Sequence, residues 1–162
     1  MYTYIYKDSP FGPLRICSDG EAICEVALLE AGEMCDNDPD EVCLECAAQL
    51  REYFAGERKV FTVPLKMHGT DFQVRVWTTL LTVPYGSTVT YGDLAAFAGH
   101  PRAARAVGTA MRSNPLWILV PCHRVVGASG LGGYGGPEGT PMKKYLLSLE
   151  GAIDLERGPK PR

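Results

Sequence analysis

At 162 residues the chain can build one generous domain or two small lobes, and its 46% apolar and 22% charged residues are those of an ordinary globular protein. The N-terminus lacks a basic segment followed by an apolar stretch, and no apolar run approaches the roughly 18 residues of a membrane span. A signal peptide and a membrane protein are therefore not expected; the reading is a cytoplasmic chain whose six cysteines stay reduced.

The net charge of −3 is unevenly spread. Residues 1–66 carry six Lys/Arg against thirteen Asp/Glu, and residues 67–162 carry ten against six, a hint that the second half faces a polyanion. In chain order, Tyr2, Tyr4 and Tyr6 alternate, a turn follows at "SPFG", Leu14–Ser18 continues to Asp19-Gly20, and "EAICEVALL" supplies a third run. This pattern predicts a small antiparallel meander. Asp38 and Pro39 then read as N-cap and N1 of a helix with Val42, Cys46, Leu50, Tyr53 and Phe54 on its buried face, ended by Gly56. Cys43 and Cys46 form a mid-helix CxxC without a second ligand pair, for which core packing is the better reading.

"KMHG" near residues 66–69 reads as the passage into a helical second half. Thr70 and Gln73 predict a capping box ahead of Phe72, Val76, Trp77 and Leu80. After the turn "VPYGST", Thr90 caps a short helix stopped by Gly99 and Pro101, and "RAARAVGTAMR" follows at once. Two short helices across a tight Gly-containing turn are a helix-turn-helix. The second is rich in alanine, with Ala104 and Gly108 and few groups able to read base edges, yet it carries Arg102, Arg105 and Arg112. Such a helix suits close approach to DNA by shape and phosphate; helix–helix packing would use the same small residues.

In "ILVPCHRVVG" a single thiol, Cys122, stands before His123. In extended backbone the two side chains point to opposite sides, so only a bent chain or a bridging water links them. No ligand spacing supports zinc, and a buried packing thiol stays open beside a nucleophile. Met142, Tyr145, Leu146 and Leu149 form the stripe of a final helix ending at Gly151. Glu150 falls in its last turn, where the helix dipole disfavours an anion, which suggests a separate job such as orienting a histidine.

These residues resemble the O6-alkylguanine-DNA alkyltransferases, the methylated-DNA–protein-cysteine methyltransferases. "VPCHRVVG" is similar to their active-site signature, and "VPYGSTVTYGDLA", "GHPRAARAVGTAMRSNP", "GGYGG" and "LLSLEG" follow the family's order. The resemblance is strong over residues 71–151 and looser before. It implies an α+β fold: an N-terminal ribonuclease H-like domain over 1–66, with a small antiparallel sheet and a helix, then a helical, winged-helix-like C-terminal domain with a helix-turn-helix over 67–162.

It further implies single-turnover repair, in which Cys122 takes the alkyl group from O6-alkylguanine, and from O4-alkylthymine, in double-stranded DNA. His123 would be the base through a water, and Glu150 would orient it. Tyr91 would help rotate the nucleotide and donate a proton to the leaving guanine, while Arg105 would fill the vacated space. Ala104, Gly108 and Arg112 would join Arg105 and Tyr91 on the minor groove. Asn114 would link the recognition helix to the cysteine loop. Val125, Tyr134, Gly135 and Trp117 would border the base and its alkyl group, with Trp117 standing where some members have a smaller residue. No cofactor, metal or membrane is implied, and the protein is expected to be a monomer. The competing classes are a non-catalytic helix-turn-helix module and a thiol hydrolase.

Overall fold

The computed structural model describes residues 1–128, 130, 139–154 and 158–159. The chain falls into two compact units, one of Met1–His68 with Pro115–Leu119 and one of Gly69–Asn114 with Val120–Arg162. The fold is α+β, with an antiparallel sheet in the first unit and mainly helices in the second.

In the first unit, β1 (Tyr2–Tyr6), β2 (Leu14–Ser18) and β3 (Ile23–Leu28) form the expected meander, with Tyr4 opposite Ile16 and Ile16 opposite Val26. Leu14, Ile16, Ile23 and Val26 are fully buried. Helix α1 (Glu41–Phe54) contributes Cys43, Cys46, Ala47, Leu50 and Tyr53 to the core. The buried CxxC thiols are packing residues: Cys43 Sγ approaches the carbonyls of Tyr2 and Ile16. Two expectations are corrected. The N-cap is Asp40, whose carboxylate accepts from Cys43 N at 2.8 Å, and not Asp38, whose backbone pairs with Thr3 in an isolated bridge. Cys43, not Val42, is the fully buried member of the first turn, three residues before Cys46 on the same face.

The outer edge of β3 is occupied by two short parallel bridges, Ile23 with Leu65 and Val26 with Leu116. Trp117 N donates to Val26 O at 3.0 Å. The extended pairing ends at this point. Ile118 has a φ of 72°, and Leu119 N closes back on Trp117 O at 2.8 Å. A β-branched residue in that region is strained, and the turn breaks the alternation that would place Trp117 and Leu119 on one face.

In the second unit, α2 (Asp71–Leu80) opens on the complete Thr70–Gln73 capping box and buries Val76, Trp77 and Leu80. Trp77 Nε1 donates to Ala110 O at 2.9 Å. Helix α3 (Tyr91–Phe97) is capped by Thr90, and α4 (Ala104–Arg112) buries Val107, Ala110 and Met111, so the helix-turn-helix is present. Gly99, at φ 87°, makes the turn between them. The two-residue β4 (Val89–Thr90) runs parallel to β5 (Val125–Val126), which brings the start of α3 beside the Cys122 loop. Helix α5 (Gly139–Leu149) turns Met142, Lys143, Leu146 and Leu147 inward. Tyr145, placed on the stripe by its apolar character, is instead 41% exposed, and Lys143 holds the inner position.

Candidate active site

Pro121 (φ −81°, ψ 64°) bends the chain, Cys122 N donates to Val120 O at 2.8 Å, and Cys122–Arg124 form one 3-10 turn. The extended backbone considered for Cys122-His123 is therefore absent. A 3-10 turn places successive side chains about 120° apart, so each of the three finds its own surroundings. All three are buried, with His123 wholly inaccessible.

Asn114, just past α4, is buried and donates Nδ2 to Val120 O at 2.9 Å while standing 3.2 Å from Cys122 Sγ. One side chain thereby ties the end of the recognition helix to the loop and to the thiol.

Glu150 is the C-cap of α5. Gly151 N donates to Ser148 O, Ala152 N to Leu147 O, and Gly151 adopts φ 72°, the glycine-ended closure that fixes the backbone of Glu150. Gly86 of the "VPYG" turn leaves so little space that a Cβ there would lie 3.3 Å from Glu150 O. So fixed, Glu150 Oε2 meets His123 Nε2 at 2.7 Å. Burial raises the Glu150 pKa, but the hydrogen bonds from His123 and Arg124, with the Arg124 charge, outweigh it and hold the carboxyl down to about 2. For His123, burial outweighs the carboxylate and holds the imidazole below its usual value, so it is neutral at pH 7. The charge that keeps Glu150 ionised is accordingly that of Arg124.

A carboxylate only accepts, so Nε2 carries the imidazole proton. Nδ1, the basic nitrogen, is buried and has no hydrogen-bond partner among the described residues. The arrangement thus presents a neutral base, an ionised carboxylate that orients it, and a thiol on the preceding residue.

Two residues given no role by the sequence reading complete the cluster. Arg124, quoted only as part of the signature, donates Nε to Glu150 Oε1 at 2.8 Å, Nη2 to Oε2 at 3.0 Å and Nη1 to Val83 O at 2.7 Å. Lys143 is fully buried, with Nζ donating to Val125 O and standing 5.8 Å from the centre of the Tyr91 ring. Burial pulls its ammonium down to about 8, against the opposing influence of Cys122. A lysine four residues before Leu147 and seven before Glu150 lies on the inner face by helical spacing; that was the available signal.

Of the remaining expected residues, Val125 is buried beside the cysteine turn, and Tyr91 is half-buried at the start of α3. Burial and the nearby Cys122 push the Tyr91 hydroxyl up, with Arg112 opposing, so it keeps its proton at neutral pH. Arg105 and Arg112 lie on the exposed side of α4, with Ala104 and Gly108 half-buried. Trp117 is half-buried in the first unit. Tyr134 and Gly135 lie outside the described residues.

Residues 71–152 match the family model of the 6-O-methylguanine DNA methyltransferase DNA binding domain, and residues 1–67 that of the same family's ribonuclease-like domain. The chain belongs to the 6-O-methylguanine DNA methyltransferase family. Among relatives in it, the methylated-DNA–protein-cysteine methyltransferase of Mycobacterium bovis is 48% identical over 93% of both chains. That of Methanosarcina acetivorans is 44% identical over 94% of this chain and 99% of its own. The crystal structure of Mycobacterium tuberculosis OGT in complex with DNA superimposes with a TM-score of 0.83 at 45% identity, covering 98% of this chain and 96% of that one.

Proposed function

We propose that the protein repairs DNA by moving the alkyl group of O6-alkylguanine, with O4-alkylthymine as a second lesion, irreversibly onto its own Cys122. The observation that carries this reading is the His123–Glu150 hydrogen bond, which leaves Nδ1 as a base one residue from the thiol. The thiol proton passes to Nδ1 through a water, the sulfur attacks the alkyl carbon, and the bond from that carbon to O6 breaks. Tyr91 returns a proton to the departing guanine. The product is a thioether; no second activated nucleophile is present among the described residues to cleave it, so each molecule acts once.

The target atom is unreachable in a stacked duplex, so the nucleotide must be turned out, at a cost of a few kcal/mol. Helix α4 serves this in the minor groove: Arg105, Thr109 and Arg112 share its exposed face at helical spacing, while Ala104 and Gly108 keep it slim. Arg105 fills the vacated stack. Asn114, Val125, Tyr134 and Gly135 hold the cysteine loop and the extruded base. The protein acts as a monomer in the cytoplasm without a cofactor, with a division near residue 66 between its two domains. No helix among the described residues is long and apolar enough to cross a membrane.

Intact-mass measurement after mixing with excess O6-methylguanine duplex tests the reading. The expected result is a gain of one methyl, mapped to the Cys122 peptide, followed by arrest. Turnover beyond one equivalent would favour the hydrolase class, no gain would favour a binding module, and alkylation at Cys43 or Cys46 would contradict the assignment of the nucleophile.

A further inference from the structure

Arg124 is nine-tenths buried and grips both oxygens of Glu150 side-on, with a third donor on the Val83 carbonyl and its guanidinium 5.9 Å from the centre of the Tyr85 ring. Its Nη2 and the Nε2 of His123 bond the same oxygen, Oε2, at 3.0 and 2.7 Å, so guanidinium and imidazole lie no farther apart than those two distances together. A planar fork on a carboxylate is a geometry lysine cannot copy.

We propose that Arg124 is a positioning residue for alkyl transfer: by holding both oxygens of Glu150 it fixes His123 as the neutral Nε2–H tautomer and keeps Nδ1 as the base. The proposal rests on the methyl-transfer reading and extends it to a residue outside the cysteine–histidine–glutamate set. Counting buried charge gives the reason. With Arg124 present, the guanidinium, carboxylate and neutral imidazole sum to zero, and protonating His123 would leave a net buried cation. With Arg124 removed, Glu150 becomes a buried anion whose readiest counter-charge is a protonated His123. The proton would then occupy Nδ1, the nitrogen that must receive the one from Cys122.

The other groups facing this pair are few. Lys143 acts on His123 in the same sense as Arg124, with burial the larger cause. Tyr85, whose hydroxyl donates to Leu149 O, is pushed up by its own burial first and then by Glu150. Cys122 is the proton donor itself.

The test is a ¹⁵N NMR titration of the three histidines, read beside the pH profile of single-turnover methyl transfer. In the unaltered protein His123 should stay in the Nε2–H form with a midpoint below its ordinary value. In Arg124→Gln the midpoint should rise by about one pH unit or more, and the acid limb of the transfer rate should move upward with it. Arg124→Lys restores the charge without the fork. It should bring the limb back toward that of the unaltered protein while the plateau rate stays reduced.

A purely structural role would lower the rate at every pH and leave the midpoint in place, and that result in folded Arg124→Gln overturns the proposal. So does a His123 midpoint above pH 7 in the unaltered protein. If Arg124→Gln does not fold, Glu150→Gln is compared with Arg124→Gln/Glu150→Gln, a pair with no stranded carboxylate. The midpoint should be higher in the double variant, and equal midpoints overturn the proposal. Failure of the methyl-transfer reading would show separately, as no mass gain in the unaltered protein, and leaves the titration readable.

Discussion

Asn114 spans eight residues of sequence to bring its Nδ2 within 3.2 Å of Cys122 Sγ, and the same amide group donates to Val120 O. Removing it strands a buried carbonyl and frees the loop that carries the thiol. Asn114→Ala should lose about 1–3 kcal/mol of stability in urea melts. Single-turnover transfer should slow by roughly tenfold or more, as expected for a nucleophile no longer held in place. A folded variant with an unchanged rate would remove Asn114 from the machinery.

Lys143 gives the fold an alkaline signature. Its folded pKa, pulled down to about 8 by burial, lies below the ordinary 10.5. Between those values the unfolded chain binds the proton and the folded one does not, so stability rises with pH across that window. Below pH 8 the ammonium is charged in both states and its burial opposes folding in full. Denaturant melts from pH 7.5 to 10.5 should show a gain on the order of 2–3 kcal/mol from this group. The contribution is read as a difference: stability of Lys143→Met should change with pH less favourably than that of the unaltered protein across this window, and an identical slope in the variant would show that the ammonium is not desolvated.

Gly108 sits inside α4, where glycine weakens a helix, yet a Cβ there would meet nothing nearer than Arg112 Nη1 at 3.9 Å. Packing within the protein does not require it. Gly108→Ala should therefore stabilise the protein by about 0.5–1 kcal/mol while weakening duplex affinity, because the added methyl holds the helix off the groove. Unchanged affinity in gel-shift titrations would place the groove contact elsewhere.

Arg105 is exposed on the same helix. Arg105→Ala should slow repair of duplex O6-methylguanine far more than reaction with the free base, which needs no extrusion. Equal slowing on both substrates would move Arg105 into the chemistry or the fold. The dependence of duplex binding on salt should be weak, since few basic side chains are available to neutralise phosphates.

Local signals carried much of the architecture. The alternation of Tyr2, Tyr4 and Tyr6, the Thr70–Gln73 box and the Thr90 cap are read over two to four residues, and each appears where expected. The Asp38 cap failed because a longer-range partner, Thr3, claims its backbone, leaving Asp40 to start the helix. The stripe of α5 departs from expectation at Tyr145, which is exposed, while Lys143 is buried on the inner face; composition alone ranks an aromatic as buried and a lysine as exposed.

What the sequence by itself determined is the order of elements, the family resemblance, and the identity of the thiol, its neighbouring histidine and a distant glutamate. All of these are properties of one residue's type or of its near neighbours. The tertiary structure alone decided that Cys122-His123-Arg124 is a turn, which imidazole nitrogen faces Glu150, and that Arg124 and Lys143 are interior. His123 and Glu150 are 27 residues apart, and Arg124 and Val83 are 41. Whether such groups meet depends on how α5 is rotated and where the "VPYG" turn folds back. Those are set by the packing of many apolar side chains at once, and a charge enters that interior only where specific partners already wait for it.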